Sequence, residues 1–148
     1  NTRGDVTEKR FLEAAKKRTK HTPRWFRTVK RASPAFDAKG LDIQASIKRS
    51  DDRKPMTVPL QIKSSVSGRR AYYQEHPEAK EAQVPVIVIT DTMTADIIRE
   101  RLYQSLEPFL NVPRQHFKSY LERLGRERLS KRGQAIRKYI AKTRKTRI

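Results

Sequence analysis

Two segments of the chain alternate between apolar and polar residues, and a short polar stretch separates them. Leu41, Ile43, Ala45 and Ile47 alternate with Asp42, Gln44, Ser46 and Lys48. After the stretch 49–56 (RSDDRKPM), Val58, Leu60 and Ile62 alternate with Pro59, Gln61 and Lys63. A period of two is the mark of a strand with one face buried and one face wet. Two such strands joined by a short turn form a hairpin most simply. This predicts strands over 41–48 and 57–64. A midpoint near residues 52–53 would set Asp42 opposite Lys63 and Gln44 opposite Gln61. The apolar rows then share one face of the hairpin and the polar rows the other.

Other elements gather around this pair. Residues 5–19 read as a helix with Asp5 and Thr7 as caps and Phe11, Leu12 and Ala15 as its apolar stripe. Residues 25–30 (WFRTVK) read as a strand and 33–40 as a loop. Residues 65–83 begin Ser/Gly-rich and continue as helix, with a break near Pro77. The run 84–90 (VPVIVIT) reads as a strand buried on both faces. Ile98, Leu102 and Leu106, spaced by four, place a helix over 94–106. Pro113 opens a last helical stretch, interrupted near Gly125 or Gly133. The order α-β-β-β-α-β-α-α is that of an α/β layer fold with a mixed sheet of about four strands flanked by helices. At 148 residues the chain is one domain by length. It divides into an α/β core over 1–112 and a basic helical extension over 113–148, packed on or beside that core.

Charge narrows the choice of partner. The chain carries 35 Lys and Arg against 16 Asp and Glu, a formal net charge of +19. Residues 1–54 hold +9, residues 55–112 hold −1 and residues 113–148 hold +11. A near-neutral middle flanked by two basic arms is the footprint of a polyanion binder, with nucleic acid the simplest partner. The plainer alternative is a set of solvated basic helices. Cysteine is absent, which excludes disulfides, thiol catalysis and cysteine-based metal sites. No apolar run is long enough to span a membrane, and no membrane partner is expected. A cytoplasmic location is the default, nucleoid-associated in a prokaryote, and a chain that opens on Asn1 is expected to have lost an upstream segment. No G-x-G-x-x-G or Walker-type loop is present, so no nucleotide cofactor is expected. His21, His76 and His116 lack the spacing of metal ligands.

The polar face of the hairpin carries the chemistry. Asp42, Gln61 and Lys63 supply a carboxylate, an amide oxygen and an ammonium within reach of one point. Those parts suit Mg²⁺ or Mn²⁺ held against a phosphate: a hard cation takes oxygen ligands, and a lysine beside it orients water and offsets charge. Glu8 adds a fourth candidate. It falls at the centre of the apolar stripe of the first helix, where a carboxylate is costly unless paired or metal-bound. Its plainer reading is a helix-start carboxylate that an arginine reaches.

The order Glu8, then Gly40-Leu41-Asp42, then Pro59-Leu60-Gln61-Ile62-Lys63-Ser64-Ser65 resembles the PD-(D/E)xK superfamily. That group includes restriction endonucleases, archaeal Holliday-junction resolvases and Mrr-like enzymes. The opening Arg3-Gly4-Asp5-Val6-Thr7-Glu8 is similar to that of the resolvases. The resemblance covers roughly residues 5–107. It implies a restriction-endonuclease-like core and a metal-dependent DNA endonuclease with Glu8, Asp42, Gln61 and Lys63 as catalytic residues. It also implies Asp42, Gln61, the Ile62 carbonyl and Glu8 around the metal. One position departs from the majority pattern. Gln61 stands where Asp or Glu is usual, as in the Q-x-K version of the Mrr-like branch. An amide keeps the oxygen ligand but removes a negative charge, which weakens metal binding.

Basic residues near these segments are the candidates for holding nucleic acid: Arg69 and Arg70 beyond the lysine, Lys48 at the end of the first hairpin strand, and Arg24 and Arg27 around Trp25 and Phe26. The expected partner is DNA, duplex or branched. Cutting both strands would need two sites, hence a homodimer. Two rival readings remain: a nuclease-fold binding module too weak in metal affinity to cut, and a basic RNA-binding structural protein. Asp51 and Asp52 are read as turn residues.

Overall fold

The structure is a computed structural model that describes residues 3–32, 43–125 and 139. Helix α1 (Arg3–Lys16) comes first. Thr7, Phe11 and Ala15 recur every four residues along its buried face, with Leu12 and Ala14 beside them. The helix ends three residues short of the expected boundary, and Thr22 Oγ1 then accepts the Thr19 N–H at 2.9 Å to close a turn.

Four strands follow: β1 (Phe26–Arg31), β2 (Ile43–Ile47), β3 (Met56–Lys63) and β4 (Val86–Val88). They form one mixed sheet in the order β1-β2-β3-β4, antiparallel between the first three and parallel between β3 and β4. A parallel pair needs a crossover. Here it is α2 (Val66–Glu75) and the short α3 (Pro77–Glu81). The break at Pro77 is real: His76 separates the two helices, and Pro77, which has no N–H, opens the second. Helix α3 closes with Gln83 in the left-handed region at φ 64°, and the Val84 N–H donates to Ala79 O at 2.9 Å. Helix α4 (Ala95–Leu106) starts on Thr94, whose hydroxyl accepts the Ile97 N–H at 3.3 Å. A 3₁₀ turn over Glu107–Leu110 leads to helix α5, helical from 118 and described to 125. Phe117, Tyr120 and Leu124 are buried in the same core as the strands, so this first part of the extension packs on the α/β unit.

The hairpin register differs from the expected one by two residues. Ile43 pairs with Leu60 and Gln44 with Pro59, not Gln61. The turn explains the slip. Asp52 Oδ2 accepts the Arg49 N–H at 3.0 Å and its Nε at 2.9 Å, and the Asp52 N–H returns to Arg49 O at 3.1 Å. The loop therefore centres one residue earlier than residues 52–53, and each step of the centre moves the pairing by two. A shift of two keeps every side chain on its expected face. Asp42, expected opposite Lys63, lies outside the described residues, as does the loop 33–40.

The last strand also differs. Only Val86–Val88 of the run 84–90 join the ladder. Pro85 lends its carbonyl to the Gln61 N–H at 3.0 Å but has no N–H of its own. Val84 and Ile89 are nevertheless fully buried, which accounts for the apolar run.

Arginines tie the layers together. Arg99 on α4 is buried and donates to Ala14 O at 3.1 Å, satisfying a carbonyl in the last turn of α1. Arg10 on α1 donates to Thr90 O at 3.3 Å and Met93 O at 2.9 Å, between β4 and α4. Arg114 donates to Lys54 O at 2.7 Å and Pro55 O at 3.2 Å, fastening the hairpin loop to the segment before α5. Among the described residues, no helix is long and apolar enough to cross a membrane.

Candidate functional site

The pairings Arg31–Ile43 and Ile43–Leu60 put the end of β1, the start of β2 and the end of β3 at one end of the sheet. Gln61 and Lys63 lie there. Two residues apart on β3, they share the face opposite that of Leu60 and Ile62. Gln61 is 2% exposed, beneath α2, and Lys63 is half-buried.

The first turn of α2 packs closely on Lys63. Ser65 caps the helix, its hydroxyl accepting the Gly68 N–H at 3.0 Å. A Cβ at Gly68 would lie 3.2 Å from Ser65 Oγ and 3.5 Å from Lys63 Cβ, so glycine lets helix and lysine stem approach. Lys63 Nζ stands 5.5 Å from the centre of the buried Tyr72 ring, within cation–π range. Tyr72 thus packs against the lysine head. Its neighbour Tyr73 is half-buried, donates its hydroxyl to Val84 O at 2.7 Å, and has its pKa raised by burial.

Strand parity places the Ile62 carbonyl. Residues 61 and 63 bond toward β4: the Gln61 N–H reaches Pro85 O, and Lys63 O accepts the Ile89 N–H at 2.8 Å. The backbone groups of Ile62 therefore point toward the β2 side, where the chain enters β2 one residue after Asp42. Asp42 itself lies outside the described residues.

Glu8 reaches the same end of the sheet from the α1 side. Its Oε1 pairs with Arg31 Nη1 at 2.7 Å, the glutamate side chain 12% exposed and the arginine 54%. Arg31 shares the face of Ile43 and Leu60, opposite Gln61 and Lys63. The structure thus unites Gln61 and Lys63 on one face and brings Glu8 to their end of the sheet on the other. The sequence named the glutamate and foresaw an arginine, but not which one, because the pair joins residues 23 positions apart on separate elements.

The oxygens at this end are hard but lie on two sides of the sheet: the Gln61 amide on one, the Glu8 carboxylate paired with Arg31 on the other, and the Ile62 carbonyl in the plane between them. They suit Mg²⁺ or Mn²⁺ in kind, with Asp42 as the carboxylate that would complete the set. Among the described residues, no group of three or more His, Asp or Glu side chains is placed to hold an ion.

The basic candidates fall into two groups. Arg69 and Arg70 are exposed in the first half of α2, near Lys63. Arg24, Arg27 and Lys48 lie at the opposite end of the sheet, where the Lys48 N–H donates to Trp25 O at 2.7 Å and Phe26 pairs with Ile47. The length of β2 separates the groups by roughly 15 Å. Phe26 is core, while Trp25 is partly buried, edge-on to Tyr103 at 6.4 Å. Asp52 serves the turn: hydrogen bonds from Arg49 lower its pKa to about 2, and that interaction raises Arg49 in turn. His76 packs on Tyr72 at 4.6 Å, and His116 Nε2 contacts Ala82 O at 3.0 Å.

No protein-family model matches the chain, and searches of curated proteins and of solved structures return no match.

Proposed function

We propose that the protein is a metal-dependent endonuclease that hydrolyses DNA phosphodiester bonds, built on a restriction-endonuclease-like core. The observation that carries this reading is the placement of Gln61 and Lys63 on one face at the end of β3, with Glu8 at the same end of the sheet. The helix–three-strand–helix–strand order and a formal charge of +19 support it.

In this reading Asp42, Gln61 Oε1 and the Ile62 carbonyl would hold Mg²⁺ or Mn²⁺, and Glu8, paired with Arg31 on the other face, would act from outside those ligands. The ion supplies polarisation of the phosphate and a more acidic water. Lys63 contributes a fixed positive charge beside the scissile phosphate, held by α2 and the Tyr72 ring, and orients the attacking water. Water oxygen bonds to phosphorus, the bond to the departing sugar oxygen breaks, and that oxygen takes up a proton. Gln61 is buried and neutral, so in this reading metal affinity is low and the charge requirement is concentrated on Asp42.

The test is cleavage of supercoiled plasmid and of a four-way junction in Mg²⁺ and in Mn²⁺. Lys63→Ala and Asp42→Ala are each expected to lose about 100-fold or more in rate, and Gln61→Glu to lower the Mn²⁺ concentration needed for half-maximal cutting. Equal nicking by wild type, Lys63→Ala and Asp42→Ala would overturn the proposal.

The burial of Gln61 favours a second reading, a nuclease-fold module that binds DNA without cutting it. It predicts full duplex affinity in all three variants and no metal-dependent cleavage by any of them.

A further inference from the structure

Residues paired across β1, β2 and β3 share a face, so the register draws out what the sheet presents on the Gln61 and Lys63 side, beyond the part that α2 covers. Thr28 pairs with Ser46 and Ser46 with Thr57, giving a row of three hydroxyls across three strands. The next row sets Lys30 beside Gln44 and Gln44 beside Pro59, which is buried, so the face is open on β1 and β2 and closed on β3 beyond Thr57. Period two along β3 then carries the same face to Gln61 and Lys63. Thr28, Lys30 and Thr57 are exposed, and Gln44 and Ser46 half-buried. Arg27 and Lys48 border the hydroxyl row at its far end. Among the described residues, no carboxylate lies on this face and none pairs with Arg27, Lys30 or Lys48. The described residues between Ala14 and Ser50 hold ten Lys and Arg and no Asp or Glu.

We propose that the exposed part of this face, on β1 and β2 with Thr57 at its border, is the track on which duplex DNA lies, running from Arg27 and Lys48 over the Thr28–Ser46–Thr57 row to Lys30 and Gln44, at the end of the sheet where Lys63 stands. The proposal rests on the nucleic-acid reading above and names the surface that reading leaves open. Hydroxyls, an amide and cations are the groups that contact phosphates without reading sequence. The described positions of this face carry no carboxylate to repel a phosphate backbone. The distance from Lys48 to Gln44 along β2 is roughly 13 Å, which corresponds to about four base pairs at ~3.4 Å per step. The track therefore fixes a duplex on one side of the bond beside Lys63. A charged lipid surface fits less well, because the row carries hydroxyls where a membrane would meet exposed aromatic or aliphatic side chains.

The test is binding of a 20-base-pair duplex in EDTA, which separates docking from hydrolysis, at several salt concentrations. The triple variant Arg27→Gln/Lys30→Gln/Lys48→Gln is compared with Lys9→Gln/Lys80→Gln/Arg101→Gln, which removes the same charge from exposed positions on the helices. The track variant is expected to lose about tenfold or more in affinity and to flatten the slope of log K against log salt by about two to three. The control is expected to change less than threefold. Thr57→Glu, a single exposed carboxylate in the hydroxyl row, should weaken binding with an unchanged far-ultraviolet spectrum. Equal losses in the two triples, or none in the track variant, would overturn the proposal. So would loss of binding to phosphatidylserine vesicles with duplex affinity intact, or a preference for structured RNA by orders of magnitude. Lys63→Ala tells the two failures apart. If it abolishes cleavage while the track variant still binds, the track is wrong and the nuclease reading stands. If it cuts normally while the track variant fails to bind, the track stands and the nuclease reading falls.

Discussion

The two halves of the sheet differ in charge as sharply as in topology. The antiparallel half, from the end of α1 through β1 and β2, is carboxylate-free among the described residues. The parallel half, residues 75–111 with α3, β4 and α4, holds seven Asp and Glu against three Lys and Arg. A protein that were basic only for solubility would spread its cations evenly. The described residues from the end of α1 through β2 thus carry cations alone and residues 75–111 a net negative charge, the asymmetry that the proposed approach of a nucleic acid would use. Strand β3 lies at the seam, pairing with β2 on one side and β4 on the other, and it carries Gln61 and Lys63. The net charge of +19 is therefore less informative than its asymmetry.

Removing the shared seam should produce the largest effect. Leu60→Ala on β3, fully buried between the halves, is expected to cost about 2–5 kcal/mol by urea unfolding. Fragmented, multi-step unfolding of the wild type would show instead that the halves fold independently. Next comes the bond from Arg99 to Ala14 O, which ties α4 of the acidic half to α1. Arg99→Met keeps the stem and leaves that carbonyl without its arginine donor, and is expected to cost about 1–3 kcal/mol. Ser65→Ala, losing the cap of α2, should cost about 1 kcal/mol and loosen the helix that holds Lys63; an undiminished stability would show that the cap does not set that helix.

Much of the antiparallel half was legible because alternation is a local signal: β2 and β3 lie within a residue or two of their sequence positions, and the polar face was read with the right parity. The register was not legible. It depends on Arg49 and Asp52 closing the turn and on Arg114 clasping Lys54 and Pro55 from 59 to 60 residues away. The parallel half was read less well. Apolar burial in 84–90 looked like seven residues of strand, yet Pro85 and the turn at 90–93 limit the ladder to three. At the candidate site, Gln61 and Lys63 were readable as a period-two pair. The ion pair of Glu8 with Arg31 and the packing of Tyr72 on Lys63 were not, since both arise from how helices dock on the sheet.

The smallest effect near neutrality is pH-dependent and belongs to the hairpin turn of the basic half. The folded-state pKa of Asp52 lies near about 2, below its ordinary 3.8. The turn's contribution is therefore complete above the ordinary value and lost as pH falls through about 2. Stability measured between pH 5 and pH 2 should decline in wild type, and the decline should be shallower in Asp52→Asn. Identical acid limbs would remove Asp52 from the account of the turn.

The most direct measurement is paramagnetic broadening of backbone amide resonances by Mn²⁺. A divalent ion at the end of β3 predicts broadening confined to residues around Ile43, Gln61–Ser65 and Glu8, and its disappearance in Asp42→Ala. Broadening centred on Asp96, Glu100 and Glu107 of the acidic half, and unaffected by Asp42→Ala, would contradict a catalytic metal at the seam.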